Sequence, residues 1–181
     1  MAIVIGNLFD DKELAALREA AEKLDYEDGG KTAGRYARDV KSNLQARKSP
    51  GLEAIFEQVR TRLNANEMVK SVARPKRYAR MLLSRYRGGM TYGTHVDDPV
   101  MNGHRTDLSF TLSLTGADDY AGGELVMEDD IEDRAIKLEA GDIVLYPTSA
   151  LHRVEPVTSG ERVAVVGWIT SWVRDPGQRE I

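Results

Sequence analysis

Short β-rich runs separated by turn signals fill the C-terminal part of the chain, from about Arg77 onwards. Many short strands divided by Gly, Asp and Pro residues are typical of a jelly roll or a sandwich. We therefore predict a mainly β core, α+β overall, from eight runs: 78–86, 91–96, 107–115, 122–128, 134–138, 142–146, 151–157 and 162–172.

The N-terminal part has a helical character. Ile3 to Phe9 predicts a short strand, and apolar residues at helical spacing predict a helix over 11–24. Ser49 and Pro50 provide the cap and first turn of a second helix, whose apolar pattern ends near 64–66. Residues 25–48 show no strong period and predict a surface loop. We predict a helical region, 1–76, packed on a β-domain, 77–181, in a single structural domain.

Composition narrows the class of protein. The 181 residues suffice for about one domain, and the net charge of −4 without a long basic run argues against nucleic acid as a partner. The chain has no cysteine, so disulfides and thiol chemistry are excluded. It shows neither a basic leader nor an apolar run of about 20 residues, so we expect no membrane partner and a cytoplasmic location.

A His-x-Asp pair, His95 and Asp97, ends the second predicted strand. Residues two apart on a strand share a face, so both side chains can point at one ion. The chain has three histidines, and His152 at the start of the seventh predicted strand is the natural third ligand. His104 lies in a stretch with loop composition and is expected at the surface. Two imidazoles and a carboxylate suit non-haem iron(II), but zinc accepts the same set.

Arg162 opens the eighth predicted strand, beside the seventh. A guanidinium is a permanently charged, bidentate partner for a carboxylate, so Arg162 could hold a dicarboxylate whose other end chelates the metal. The alternative is an arginine paired at the surface. Thr111 and Ser113 share one strand face, and either could line the pocket. Trp168 and Trp172 are expected in the core or on a sheet face.

The chain resembles the iron(II)- and 2-oxoglutarate-dependent dioxygenases of the prolyl 4-hydroxylase-like group, and is most similar to the bacterial PKHD-type hydroxylases. The resemblance covers nearly the whole chain. The motifs that carry it are Tyr86-x-x-Gly-Met-x-Tyr92-x-x-His95-Val-Asp97, Arg105-Thr-Asp-Leu-Ser-Phe-Thr-Leu, Asp119-Tyr-Ala-Gly-Gly-Glu-Leu125, Gly141-Asp142-x-Val-Leu-Tyr-Pro147, His152-Arg-Val-Glu-Pro-Val with Arg162, and, nearer the N-terminus, Asp28-Gly-Gly-Lys-Thr-Ala-Gly34 and Val40-Lys-Ser-Asn-Leu-Gln45.

The resemblance implies a double-stranded β-helix (jelly roll) with His95, Asp97 and His152 as iron ligands. It further implies Arg162 as the partner of the 2-oxoglutarate carboxylate, with Tyr86 near the co-substrate. The implied cofactors are Fe(2+) and 2-oxoglutarate, with L-ascorbate as an optional addition. Related hydroxylases continue into a C-terminal helical extension, whereas this chain ends at Gln178-Arg-Glu-Ile181.

The implied reaction is hydroxylation of a small-molecule or peptidyl substrate with O2, releasing succinate and CO2. Asp97 favours hydroxylation, because related halogenases lack this carboxylate. Two other hypotheses remain. One is a non-catalytic, cupin-like metal-binding protein or sensor that keeps the three ligands and uses Arg162 structurally. The other is an interaction module without a metal. Neither the substrate nor the oligomeric state follows from the sequence.

Overall fold

The computed structural model describes residues 2–32 and 38–179. This part of the chain contains strands, helices and three short 3-10 turns. The strands are β1 (Ile3–Ile5), β2 (Tyr26–Asp28), β3 (Lys41–Ser42), β4 (Leu44–Ala46), β5 (Pro75–Arg87), β6 (Thr91–His95), β7 (Val100–Met101), β8 (His104–Arg105), β9 (Leu108–Ser113), β10 (Tyr120–Gly122), β11 (Leu125–Met127), β12 (Arg134–Ile136), β13 (Ile143–Pro147), β14 (His152–Val154) and β15 (Val157–Ser171). The helices are α1 (Asp11–Glu22), α2 (Pro50–Ala65), α3 (Glu67–Ala73) and α4 (Pro176–Arg179).

Two antiparallel sheets form the β-core. The large sheet has the order β1-β13-β9-β15-β5-β4-β2, with β10 also paired to β15, and the small sheet has the order β12-β11-β14-β6-β3. Strands β7 and β8 make a separate hairpin. Each of the eight predicted strands has a counterpart, and the predicted jelly-roll architecture is confirmed. A tight turn links β5 to β6, where Gly88 and Gly89 adopt positive φ angles of 56° and 84° that glycine accepts without strain.

Capping residues set the helix boundaries. Asp10 and Glu13 form a reciprocal capping box at the start of α1, and the Ser49 side chain accepts a hydrogen bond from the Leu52 N–H at the start of α2. Asn66 ends α2 and also caps α3, because its side chain accepts from the Val69 N–H. The sequence signals predicted α1 and α2, whereas α3 was not predicted.

The prediction of a surface loop over 25–48 is wrong for the described residues. Strand β4 pairs with β5 in the large sheet, and β3 pairs with β6 in the small sheet. Asn43 and Gln45 are buried. The segment therefore extends both sheets at their edges. Residues 33–37, with Ala33 and Gly34 of the motif noted above, lie outside the described residues, as do Glu180 and Ile181.

The large sheet has two different faces. Alternate residues of β9 (Leu108, Phe110 and Leu112) join the apolar cluster that includes the buried stripes of α1, α2 and α3. The intervening residues Ser109 and Thr111 point between the two sheets. The helices therefore cover one face, and the second face is free to build a site.

Within the described ranges, no helix has both the length and the apolar character needed to cross a membrane. The division of the chain at residue 76 stays a prediction.

Candidate functional site

Pairing between two strands of the small sheet brings two histidines together. His95 ends β6, His152 begins β14, and the two residues are direct partners in the antiparallel register. Their ring centroids lie 4.2 Å apart. Neighbouring strands are about 4.8 Å apart, so this pairing alone fixes the two imidazoles side by side.

Asp97 completes a compact group of three donors. Its Oδ1 lies 3.7 Å from His95 Nε2, and its Oδ2 lies 3.9 Å from His152 Nε2. One ligand atom from each residue can be chosen so that all three lie within 4.8 Å of one another. Such spacing, with mixed nitrogen and oxygen donors, fits a single transition-metal ion.

Backbone carbonyls orient both imidazoles. His95 Nδ1 lies 2.8 Å from the Gly93 carbonyl oxygen, and His152 Nδ1 lies 2.9 Å from the Ala150 carbonyl oxygen. A carbonyl oxygen can only accept, so each Nδ1 must carry the proton and donate it. The Nε2 atoms consequently face Asp97 as the metal-binding nitrogens, an arrangement common in metal sites.

The Asp97 carboxylate is buried with few partners. Its side chain is 7% exposed, and the Ser109 hydroxyl donates to Oδ2 at 2.7 Å. No Lys or Arg within residues 2–32 and 38–179 forms an ion pair with it. A buried carboxylate is costly without a positive counterpart, so this geometry suits a bound cation.

The pKa of His95 is lowered to about 4, chiefly by burial and then by the neighbouring His152. Its imidazole is therefore neutral near pH 7, which is the form that binds metals. The Tyr92 ring stacks on the His95 ring at 3.6 Å and shields one side of it.

A cavity of about 360 Å³ opens beside the three donors, between the two sheets. Thr111 lines it, whereas Ser113 does not and donates instead to the Thr115 carbonyl oxygen. That resolves the choice between these two residues that the sequence left open.

Arg162 and Tyr86 lie at one end of the cavity. They are direct partners in the pairing of β15 with β5, and the guanidinium carbon lies 5.4 Å from the centre of the Tyr86 ring. Arg162 is only 5% exposed, and no carboxylate pairs with it in the described part of the chain. Burial raises the pKa of Tyr86, so its hydroxyl stays protonated and able to donate. The surface pairing considered for Arg162 is therefore wrong.

Several residues of the cavity were not singled out from the sequence. Lys41 and Gln45 come from the segment expected to be a loop, and Ser109 and Arg80 come from strands with mixed composition. Burial, together with repulsion from Arg80, lowers the pKa of Lys41 to about 8. The alternation of polar residues on β9 was the one available signal for Ser109.

The structure also gives the positions of the other three residues considered from the sequence, His104, Trp168 and Trp172. His104 belongs to β8 rather than to a loop, and it contacts the Arg77 side chain away from the metal-binding group. Trp168 occupies a sheet face, as expected, and also lines the cavity. Trp172 directly follows the last residue of β15 and is 69% exposed, so of the two places expected for it, the core and a sheet face, the core is excluded.

Comparisons with known proteins agree with this geometry. Residues 81–170 match the model of the 2OG-Fe(II) oxygenase superfamily. The chain is 49% identical to a PKHD-type hydroxylase of Maricaulis maris over 181 residues, which is 100% of this chain and 83% of that protein. It is 45% identical to a PKHD-type hydroxylase of Idiomarina loihiensis over 183 residues, with the same coverage of 100% and 83%.

Among solved structures, a Pseudomonas putida prolyl-4-hydroxylase has a TM-score of 0.61. It is 19% identical in sequence, and the match covers 95% of this chain and 93% of that one. At this level of identity the likeness shows the fold, which is the double-stranded β-helix predicted above.

Proposed function

Because this chain belongs to the 2OG-Fe(II) oxygenase superfamily, as a relative of the PKHD-type hydroxylases, we propose that it hydroxylates a small-molecule or peptidyl substrate with O2. The chain is a dioxygenase that depends on iron(II) and 2-oxoglutarate. In the proposed reaction, 2-oxoglutarate is converted to succinate and CO2 as the substrate gains a hydroxyl group.

We assign His95, Asp97 and His152 as the iron ligands. One observation carries this assignment: two oriented imidazole nitrogens and an oxygen of a buried carboxylate lie within 4.8 Å of one another. Ligand type alone allows zinc as well as iron(II), and the family supplies the preference for iron.

Arg162 and Tyr86 are the proposed partners of the far carboxylate of 2-oxoglutarate. The buried Arg162 guanidinium lines the cavity and forms no ion pair with a carboxylate within residues 2–32 and 38–179, and a guanidinium can bind a carboxylate through two hydrogen bonds. The Tyr86 hydroxyl, kept protonated by burial, can donate to the same group.

The other residues of the site hold this arrangement in place. Ser109 orients the Asp97 carboxylate through its hydrogen bond, and the carbonyls of Gly93 and Ala150 keep protons on the two Nδ1 atoms. Tyr92 and Leu125 give the cavity apolar walls that limit access of water. Iron(II) and 2-oxoglutarate would supply the electrons for O2 activation, while the chain supplies binding, orientation and shielding.

Calorimetric binding of 2-oxoglutarate tests the assignment. Manganese(II) replaces iron(II) to prevent turnover, and a metal-free sample serves as a control. We expect binding to require the metal, to fall at least about tenfold in Arg162→Met and to disappear in Asp97→Ala. Arg87→Met is the matched control, because Arg87 lies on the same strand as Tyr86 but pairs with Glu161 at the surface.

The outcomes separate the alternatives. Metal binding without 2-oxoglutarate binding would favour a cupin-like metal-binding protein or sensor. Absence of metal binding would leave an interaction module. Succinate formation that needs both iron(II) and O2 would support the complete reaction. A cytoplasmic location, an optional role of L-ascorbate and the lack of nucleic-acid or membrane partners stay predictions.

A further inference from the structure

Arg80 is a second arginine of the cavity wall, at a different place from Arg162. On the large sheet, Arg80 pairs with Trp168, which pairs in turn with Ser109. Ser109 holds the Asp97 carboxylate, so Arg80 lies level with the metal ligands and two strands away. At about 4.8 Å per strand, the backbones of Arg80 and Ser109 are roughly 10 Å apart.

The position of Arg80 separates it from the proposed co-substrate end. Arg80 and Tyr86 lie on the same face of β5, six residues apart, and Tyr86 pairs with Arg162. At about 3.3 Å per residue, this is roughly 20 Å along the strand. One 2-oxoglutarate molecule bound between the metal and Arg162 would therefore leave Arg80 free to contact another molecule.

Arg80 has no carboxylate partner among the residues that the structure describes. It forms no ion pair with any residue of the two described ranges, although it is half-buried. The other cation near it is Lys41, which projects into the cavity from the small sheet. These two cations on opposite walls create a positive region in a chain whose net charge is −4.

The formal charges of the residues that line the whole cavity also sum to a positive value. Its lining contains three cations, Lys41, Arg80 and Arg162, and two carboxylates, Asp97 and Asp98, which leaves a formal charge of +1. Bound iron(II) and the 2-oxoglutarate dianion cancel each other. With Arg162 assigned to the co-substrate, Arg80 and Lys41 are the other two cations of the lining.

The surroundings of Arg80 include a further donor and an apolar surface. Trp168 is 8% exposed, and its Nε1–H has no hydrogen-bond partner in the described part of the chain. Leu82 and Val166 follow on the same face, between the Arg80 row and the co-substrate end. A ligand at this place thus meets cations, the Trp168 side chain and aliphatic side chains.

We propose that Arg80 and Lys41 bind a carboxylate of the substrate, and that the substrate is an acid with an aliphatic portion packed on Leu82 and Val166. This inference rests on the proposed function, since it assigns the substrate class of the same site. The acid group would anchor the substrate about two strands from the metal, with the carbon to be hydroxylated held between them.

Matched acid and amide probes test the inference. Hexanoate and hexanamide have the same length and differ in charge. Each would be titrated into protein saturated with manganese(II) and 2-oxoglutarate, so that the metal and Arg162 are already occupied. Calorimetry gives the affinity, and relaxation of the probe protons by manganese(II), with zinc(II) as the diamagnetic control, shows whether the probe lies near the metal.

We expect hexanoate to bind at least about tenfold more tightly than hexanamide. This preference should fall below about threefold in Arg80→Met and persist in part in Arg80→Lys. Arg77→Met is the matched control, because Arg77 lies on the same strand, contacts His104 and is absent from the cavity lining. It should keep the full preference.

Binding of 2-oxoglutarate, measured first in every variant, separates the two proposals and shows that each variant is folded. If the unmodified protein binds no 2-oxoglutarate, the proposed function fails and this inference fails with it. If 2-oxoglutarate binds but the acid and the amide bind equally, or the preference survives in Arg80→Met, the anionic substrate is ruled out and the proposed function stands.

Discussion

Thr111 and Leu112 are neighbours on one strand, and both are buried, but they belong to opposite faces of the large sheet. Leu112 is packed in the cluster beneath the helices, whereas Thr111 lines the cavity beside the metal-binding group. Burial therefore does not distinguish the two faces, and only the chemistry of the side chains does. One face contributes to stability and the other to binding, and consecutive residues of the strand belong to the two faces in turn.

The largest effect should come from the helix-covered face. Leu112→Ala removes a fully buried side chain, so we expect a loss of about 3 to 4 kcal/mol in the free energy of unfolding. The melting temperature should fall by about 10 °C. Denaturant and thermal unfolding measure this, and 2-oxoglutarate binding at low temperature should be unchanged.

Thr111→Val is the matched change on the cavity face. It keeps the volume and removes a hydroxyl, so the loss should stay below about 2 kcal/mol. If Leu112→Ala abolished 2-oxoglutarate binding while the protein remained folded, the separation between the faces would be broken.

A second prediction concerns acidification of the metal-free protein. His95 has a lowered pKa, about 4, when folded, and an ordinary value near 6.5 when unfolded. Between these values the unfolded chain binds the proton and the folded chain does not, so stability falls as the pH drops from about 6.5 towards 4. The contribution should reach about 3 kcal/mol.

Unfolding measured across this pH range, in the protein and in His95→Gln, would isolate the histidine. We expect a shallower pH dependence in His95→Gln than in the unmodified protein. Identical slopes in the two proteins would contradict the assigned cause, which is burial of a neutral imidazole.

A third prediction addresses the hydrogen bond between Ser109 and Asp97. Ser109→Ala removes the donor that orients the carboxylate, and such losses typically reduce metal affinity about tenfold or more. Manganese(II) titration would measure the change. Ser113→Ala is the control, because Ser113 is buried on the same strand but bonds to a backbone carbonyl away from the cavity. Equal effects of the two changes would argue against an orienting role.

The smallest effect should come from the exposed side of the small sheet. Arg153, next to His152, forms ion pairs with Glu128, Asp133 and Glu155. These partly exposed pairs are screened by water and salt, so Arg153→Met should change the free energy of unfolding by less than about 1 kcal/mol. Denaturant unfolding at low and high salt would test this, and a larger change that persists at high salt would contradict the assigned screening.

The sequence signals were strongest where structure is local. Short β-rich runs between turn signals located all eight core strands, and the spacing of His95 and Asp97 predicted that their side chains bind one ion. The third donor, His152, required the order of strands in a jelly roll. Helix caps predicted α1 and α2, but Asn66 was interpreted only as an end, although it also begins α3.

The residues that sequence reasoning missed depend on distant partners. Strands β3 and β4 contain only two and three residues, too few to show a period, and they form only because β6 and β5 provide the pairing edges. Lys41 reached the cavity through such a strand. The choice between Thr111 and Ser113 stayed open because both lie on one face of a strand that is buried on both faces, and only the extent of the cavity along that strand selects Thr111.

The carbonyl groups of Gly93 and Ala150 have a consequence for protein engineering. The partners that orient the two imidazoles belong to the main chain, so no side-chain substitution deletes them, and Gly93 is closed to replacement since a Cβ there would lie 2.8 Å from Val40 Cβ. The two imidazoles therefore keep their orientation, and residue 97 is the ligand position that can be substituted. Redesign of metal preference can proceed at that single residue while the fold preserves the remaining geometry.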